Sequence, residues 1–159
     1  MAKIFVCIAI VVVSTFIGKS FSDKHSKQYS FYCALKSFNL SLKRNIKFKR
    51  QNLIELLDFK SSDEDFNCYL SSCKLTLVSN ENIDRFFPFW CSDNDKDFLV
   101  AYMEGVGKNG RESELDFINS QEEIIDERIA KIEENMKKYS SLGQKLGFAL
   151  GMGLVVIII

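Results

Sequence analysis

Residues 142–159 read L-G-Q-K-L-G-F-A-L-G-M-G-L-V-V-I-I-I. After Lys145 come 14 uncharged residues. As a helix they extend about 21 Å at roughly 1.5 Å per residue. A hydrocarbon core is about 30 Å thick, and Lys145 can lengthen the effective span by reaching toward the headgroups. A soluble fold gains little from three terminal isoleucines. The stretch reads as a C-terminal membrane helix, and it sets the architecture expected of the rest of the chain.

The other end matches it. Lys3 and Lys19 bracket 15 uncharged residues, 4–18, rich in Ile and Val. That length also suits a secretory signal peptide, but positions 14–20 offer no small-x-small cleavage site. An uncleaved anchor is the favoured reading over a cleaved signal, and no lipobox precedes Cys7. The expected organisation is therefore an anchor over 1–21, a helical domain over 22–141 and a second membrane helix over 142–159. The middle part, about 120 residues, suffices for one small domain. Lys19, Lys24 and Lys27 follow the first span, and Lys137, Lys138 and Lys145 precede the second. The positive-inside rule then places the domain in the cytoplasm.

A net charge of zero conceals a strong division. Residues 19–50 hold nine Lys or Arg against Asp23 alone, a net of +8. Residues 51–100 carry ten acids and four bases, and 101–145 ten acids and seven bases. A basic arm beside a span is attracted to anionic headgroups and also enforces topology. No nucleic-acid-binding module is visible. The five cysteines, Cys7, Cys33, Cys68, Cys73 and Cys91, contain no C-x-x-C, and His25 is the only histidine. Neither a zinc site nor a disulfide framework is expected; buried free thiols are.

Apolar spacing predicts helices throughout. Tyr32, Leu35, Phe38, Leu42 and Ile46 form one stripe on a helix over about 24–48, with Lys36, Lys43, Arg44 and Lys47 largely off that stripe. A short helix is expected over 51–59, then a polar loop or helix start at 61–65. Residues 68–78 are read as helix rather than strand, because a lone strand has no partner. Phe86, Phe87, Phe89 and Trp90 surround Pro88, the single proline, and are read as core. A further helix carries Phe98, Leu99, Tyr102, Met103 and Val106, opening at Ser92 or Asp93 and stopped by Gly105, Gly107 and Asn109-Gly110. From Arg111 one long helix keeps a heptad-like seam, Leu115, Ile118, Ile125, Ile129, Ile132, Met136 and Tyr139, interrupted at Glu122. Its seam suits packing within the bundle, with coiled-coil self-association as the alternative.

Gly143, Gly147 and Gly151 stand four apart, a double G-x-x-x-G, and Ser14 and Gly18 offer a similar face on the first span. Such small residues let membrane helices pack closely, between the two spans or between two copies. No phosphate loop, nucleophile elbow or metal-ligand spacing is present, and Glu122, Glu123, Asp126 and Glu127 read as a solvated helix face. No enzyme and no cofactor are expected. Asn39-Leu40-Ser41 fits a glycosylation sequon, which has no meaning on a cytoplasmic helix.

The layout resembles the stage III sporulation protein AB family of endospore-forming bacteria. The tail carries most of the likeness: Met136-Lys137-Lys138-Tyr139, then Leu146-Gly147-Phe148-Ala149-Leu150-Gly151 running into the Val/Ile end, is similar to that family's K-x-x-x-S-L-G-x-x-x-G-L-L-L-V-I-L-L-I. Val106-Gly107-x-x-x-Arg111 resembles its L-G-x-x-D-R-x-x-Q, with Gly110 in place of the aspartate and Glu114 in place of the glutamine. Ile17-Gly18 leads into a basic helix carrying Leu35 and Leu42, and Asn45-Ile46-Lys47-Phe48 stands where the family has E-I-x-Y. The resemblance implies an all-α bundle like the cytoplasmic helical domains of type II secretion and type IV pilus inner-membrane platform proteins. It also implies a non-enzymatic membrane platform docking a secretion-type ATPase, similar to stage III sporulation protein AA, and other proteins of the sporulation complex. By charge and location the expected contact residues are Lys43, Arg44, Lys47, Lys49 and Arg50, with the turn from Gly107 to Arg111. A membrane-anchored coiled coil with a structural or sensing role is the alternative.

Overall fold

The computed structural model describes residues 2–48, 53–79, 85–108 and 110–158, and the described residues contain helices and no strand. Helix α1 runs Ala2–Phe48, α2 Leu53–Leu56, α3 Glu64–Ser79, α4 Asp93–Gly105 and α5 Arg111–Ile158. The chain divides into two compact units. One gathers Met1–Lys27 with Lys131–Ile159, and the other is Gln28–Ala130. The all-α expectation holds, as do the helix over 68–78, the helix opening at Ser92 and the long helix from Arg111. The short helix expected over 51–59 is a single turn, Leu53–Leu56, followed by hydrogen-bonded turns from Asp58 to Glu55 and from Phe59 to Leu56.

Among the described residues, no helix is long and apolar enough to cross a membrane. The two runs expected to do so, 4–18 and 146–159, lie outside the described side chains except at Ala149. The same holds for Cys7, Ser14, Gly18, Gly143, Gly147 and Gly151.

Local signals explain the helix boundaries within 28–130. Asp63 caps α3, its Oδ1 accepting from the Phe66 N–H at 2.8 Å, and Glu64 and Asp65 place negative charge in the first turn. Ser92 caps α4 in a capping box with Asp95. Gly107 adopts φ 82°, a left-handed conformation open to glycine, in the turn that follows α4. At Gly105 a Cβ would fall 2.3 Å from the Phe117 ring, so α4 ends where α5 packs closest.

The core of this unit is aromatic. Phe31, Tyr32, Phe38, Phe66, Tyr69 and Tyr102 are fully buried with Leu35, Leu99, Ile118 and Ile125. Phe31 sits at its centre, with ring centroids 5.3 Å from Phe66, 5.8 Å from Tyr69 and 5.0 Å from Trp90, all edge-to-face. The stripe on α1 is as predicted, except that Ile46 is only partly buried and Phe31, Ala34, Asn39 and Asn45 join it. Ile118 and Ile125 place the α5 seam inside the bundle. Around Pro88 the expected core splits: Trp90 is buried, whereas Phe89 is 76% exposed and Phe86 39%. Pro88 turns the chain there, its carbonyl accepting from the Cys91 N–H, so neighbouring rings point to opposite sides. The expectation of buried thiols is also corrected. Cys73 is buried, Cys33 and Cys91 are half-buried and Cys68 is exposed on α3; all four are free.

Burial holds the hydroxyls of Tyr32, Tyr69 and Tyr102 protonated well above the ordinary phenol range, aided at Tyr32 by its bond to Asp95. An unfolded tyrosine releases its proton near pH 10. Above that pH the unfolded chain therefore binds fewer protons than the folded one, and stability falls as pH rises. In an alkaline titration, tyrosinate absorbance from these three residues is expected to rise together with the loss of Trp90 burial. Their ionisation with Trp90 fluorescence unchanged would contradict this packing.

Candidate partner-docking surface

The geometry of this surface is set by polar ties beneath it. α1 and α5 run antiparallel within 28–130: the start of this part of α1 meets residues 126–128 of α5, and its later positions meet 118–122. Arg128 Nη1 lies 3.4 Å from the Tyr32 hydroxyl, Lys36 pairs with Asp126 at 2.6 Å, Asn39 Nδ2 donates to the Ile118 carbonyl at 3.1 Å and Lys43 pairs with Glu122 at 2.6 Å. The break in the apolar seam at Glu122 is thus the seat of an ion pair.

The deepest tie is centred on Asp95, buried to 6% exposure. Its Oδ2 accepts from the Ser92 backbone N–H at 3.1 Å and the Ser92 hydroxyl at 2.7 Å, closing the start of α4. Its Oδ1 accepts from the Tyr32 hydroxyl at 2.6 Å and from Arg128 Nη1 at 3.0 Å. The Arg128 guanidinium also lies 4.2 Å over the Phe98 ring. One carboxylate therefore joins α1, α4 and α5. A second tie repeats the pattern in neutral form: Asn39 Oδ1 accepts from the Tyr102 hydroxyl at 2.9 Å while its amide reaches α5. Asn39, the first residue of the sequon, is fully buried in the fold. The Tyr69 hydroxyl donates to the Leu99 carbonyl at 2.8 Å and brings α3 into the same frame.

These ties sort the basic residues of α1. Lys36 and Lys43 face acids of α5, so Glu122 and Asp126 are cross-helix partners rather than a purely solvated face. Arg44 and Lys47 are exposed. Lys49 and Arg50 lie outside the described residues, as does the side chain of Arg111. The turn after α4 is closed by Glu114, whose buried carboxylate accepts from the Gly107 N–H at 2.7 Å, while the Glu114 N–H donates to the Gly110 carbonyl at 2.8 Å. Glutamine offers the same acceptor oxygen, so either side chain at this position can accept from the Gly107 N–H. Gly110 has open space around it. Sequence reading singled out Arg44, Lys47 and the turn. It missed Asp95 and Arg128, which lie 33 positions apart and share no spacing that marks a pair.

No group of three or more metal-ligating side chains forms among the described residues. Burial raises the Cys91 thiol to about 11 and pushes Cys73 upward as well, which makes both poor nucleophiles near neutral pH.

The family model described as stage III sporulation protein AB matches residues 3–159. No curated protein and no solved structure matches the chain.

Two predictions test the frame, both read through the fluorescence of Trp90, the single tryptophan. Arg128→Met leaves Asp95 buried without its cation and is expected to cost about 3–5 kcal/mol in denaturant unfolding. Lys43→Met removes a partly exposed pair, 26% and 25% accessible, and is expected to cost less, about 1 kcal/mol. Equal losses would contradict the ranking. At the turn, Glu114→Gln is expected to stay within about 1 kcal/mol of the parent and Glu114→Ala to lose about 1–3 kcal/mol, because only alanine leaves the Gly107 N–H unsatisfied.

Proposed function

The chain belongs to the stage III sporulation protein AB family, and from that premise we propose that this sporulation protein is a non-enzymatic membrane platform that docks a secretion-type ATPase. The carrying observation is the exposed basic pair Arg44 and Lys47 on α1, held in place by the α1–α5 ion pairs beside it. Runs 4–18 and 146–159 hold the chain in the membrane as two spans, and the lysines that flank both put the helical domain on the cytoplasmic side. A rigid bundle with an outward basic face then meets an acidic face of the ATPase, while the long α5 connects this contact to the second span. Charge pairs at a rim set encounter rate and salt dependence more than affinity.

The test is co-purification of the full chain with the secretion-type ATPase of the same genome. The double variant Arg44→Glu with Lys47→Glu is expected to retain at least tenfold less ATPase than the parent, with its helical content unchanged. Undiminished retention removes this face from the account.

A further inference from the structure

A cavity of about 540 Å³ opens between the C-terminal ends of α3 and α4. Its walls include Leu77, Met103 and Val106, with Arg85 and Lys108 at its polar side. Its size falls within the range of ligand-binding clefts. Arg85 is the informative residue. Its Nη2 reaches Glu104 at only 3.5 Å, and that glutamate side chain is 54% exposed. Its Nη1 is buried and has no hydrogen-bond partner among the described residues. A buried guanidinium N–H without an acceptor is costly, and a carboxylate is the group that satisfies it best. At the cavity wall Leu77 is itself 50% exposed, and Phe86, next to Arg85 in the chain, is 39% exposed.

We propose that this cavity receives an acidic, apolar segment of a partner protein, with its carboxylate on Arg85 and its neighbouring apolar side chains on Leu77 and Met103. Two cations against one half-exposed acid among the lining residues select an anionic occupant. A small carboxylate on Arg85 would leave the apolar wall of Leu77, Met103 and Val106 uncovered, whereas a protein segment covers it with its own apolar side chains. The site is separate from the α1 face and depends on the platform reading only in that the occupant is a protein. Its test needs no ATPase, so the failure of one leaves the other standing.

The test uses the full chain in lipid nanodiscs and a fluorescein-labelled peptide containing Leu-Leu-Glu-Leu, with a Leu-Leu-Gln-Leu counterpart and empty nanodiscs as control. Fluorescence anisotropy is expected to show the Glu peptide binding at least tenfold more tightly than the Gln peptide. Arg85→Gln is expected to abolish that preference and Arg85→Lys to keep most of it, while Leu77→Glu weakens both peptides. Removing a guanidinium with an unsatisfied nitrogen is not expected to unfold the chain, and Trp90 fluorescence checks this; Lys108→Gln, lowering the preference severalfold, gives a second reading at a surface position. Equal affinity for the two peptides, or a preference that persists in Arg85→Gln, overturns the proposal. Displacement of the peptide by hexanoate at equal concentration overturns it in favour of a small carboxylate ligand.

Discussion

A single buried carboxylate organises the helical unit. Asp95 divides its two oxygens: one closes the start of α4 through Ser92, and the other receives Tyr32 from α1 and Arg128 from α5. A carboxylate with so little access to water persists only where such donors converge on it. Its contribution is largely geometric, since an apolar set of similar volume can be as stable as a buried ion pair. It admits one register in which the tyrosine, the arginine and the cap all reach the same group. Apolar packing around Phe31 is far more permissive of sliding and rotation.

The remaining polar contacts agree with that register. Asn39 meets the Ile118 carbonyl, and Lys36 and Lys43 meet Asp126 and Glu122, so with Tyr32–Arg128 four ties run along the α1–α5 seam. The outer pairs contribute little energy individually. Their structural consequence is which charges they leave outward. With Lys36 and Lys43 turned to α5, the exposed face of α1 is defined by Arg44 and Lys47, and a uniform basic stripe becomes a directional one.

Much of this was legible in residue order. Periodicity on α1 and α5, the Ser92 cap and the glycine stop at Gly105 follow from local rules that tertiary contacts did not override. The aromatic segment around Pro88 was harder to read, because composition does not say which side of a proline turn faces the core: Trp90 went in and Phe89 out. Asp95 was read only as one of ten acids in its region. Its role depends on groups 63 positions before it and 33 after it, and no periodicity carries that information. The acids of α5 were read as a solvated face, which holds for Glu123 and Glu127, whereas Glu122 and Asp126 pair with lysines of a helix distant in sequence. Glu114 stands out in the resemblance as a departure, and in the structure its carboxylate accepts from the Gly107 N–H, a bond that a glutamine oxygen can also make.

The central claim is that a rigid helical unit presents the basic face of α1 to an acidic protein surface. The most direct measurement is the affinity of the full chain, in nanodiscs, for the purified secretion-type ATPase across a salt series from about 50 to 300 mM, over which exposed charge pairs become progressively screened. The account predicts saturable binding that weakens at least tenfold over that range. Binding that is absent at low salt with the chain folded, or indifferent to salt throughout, would contradict it.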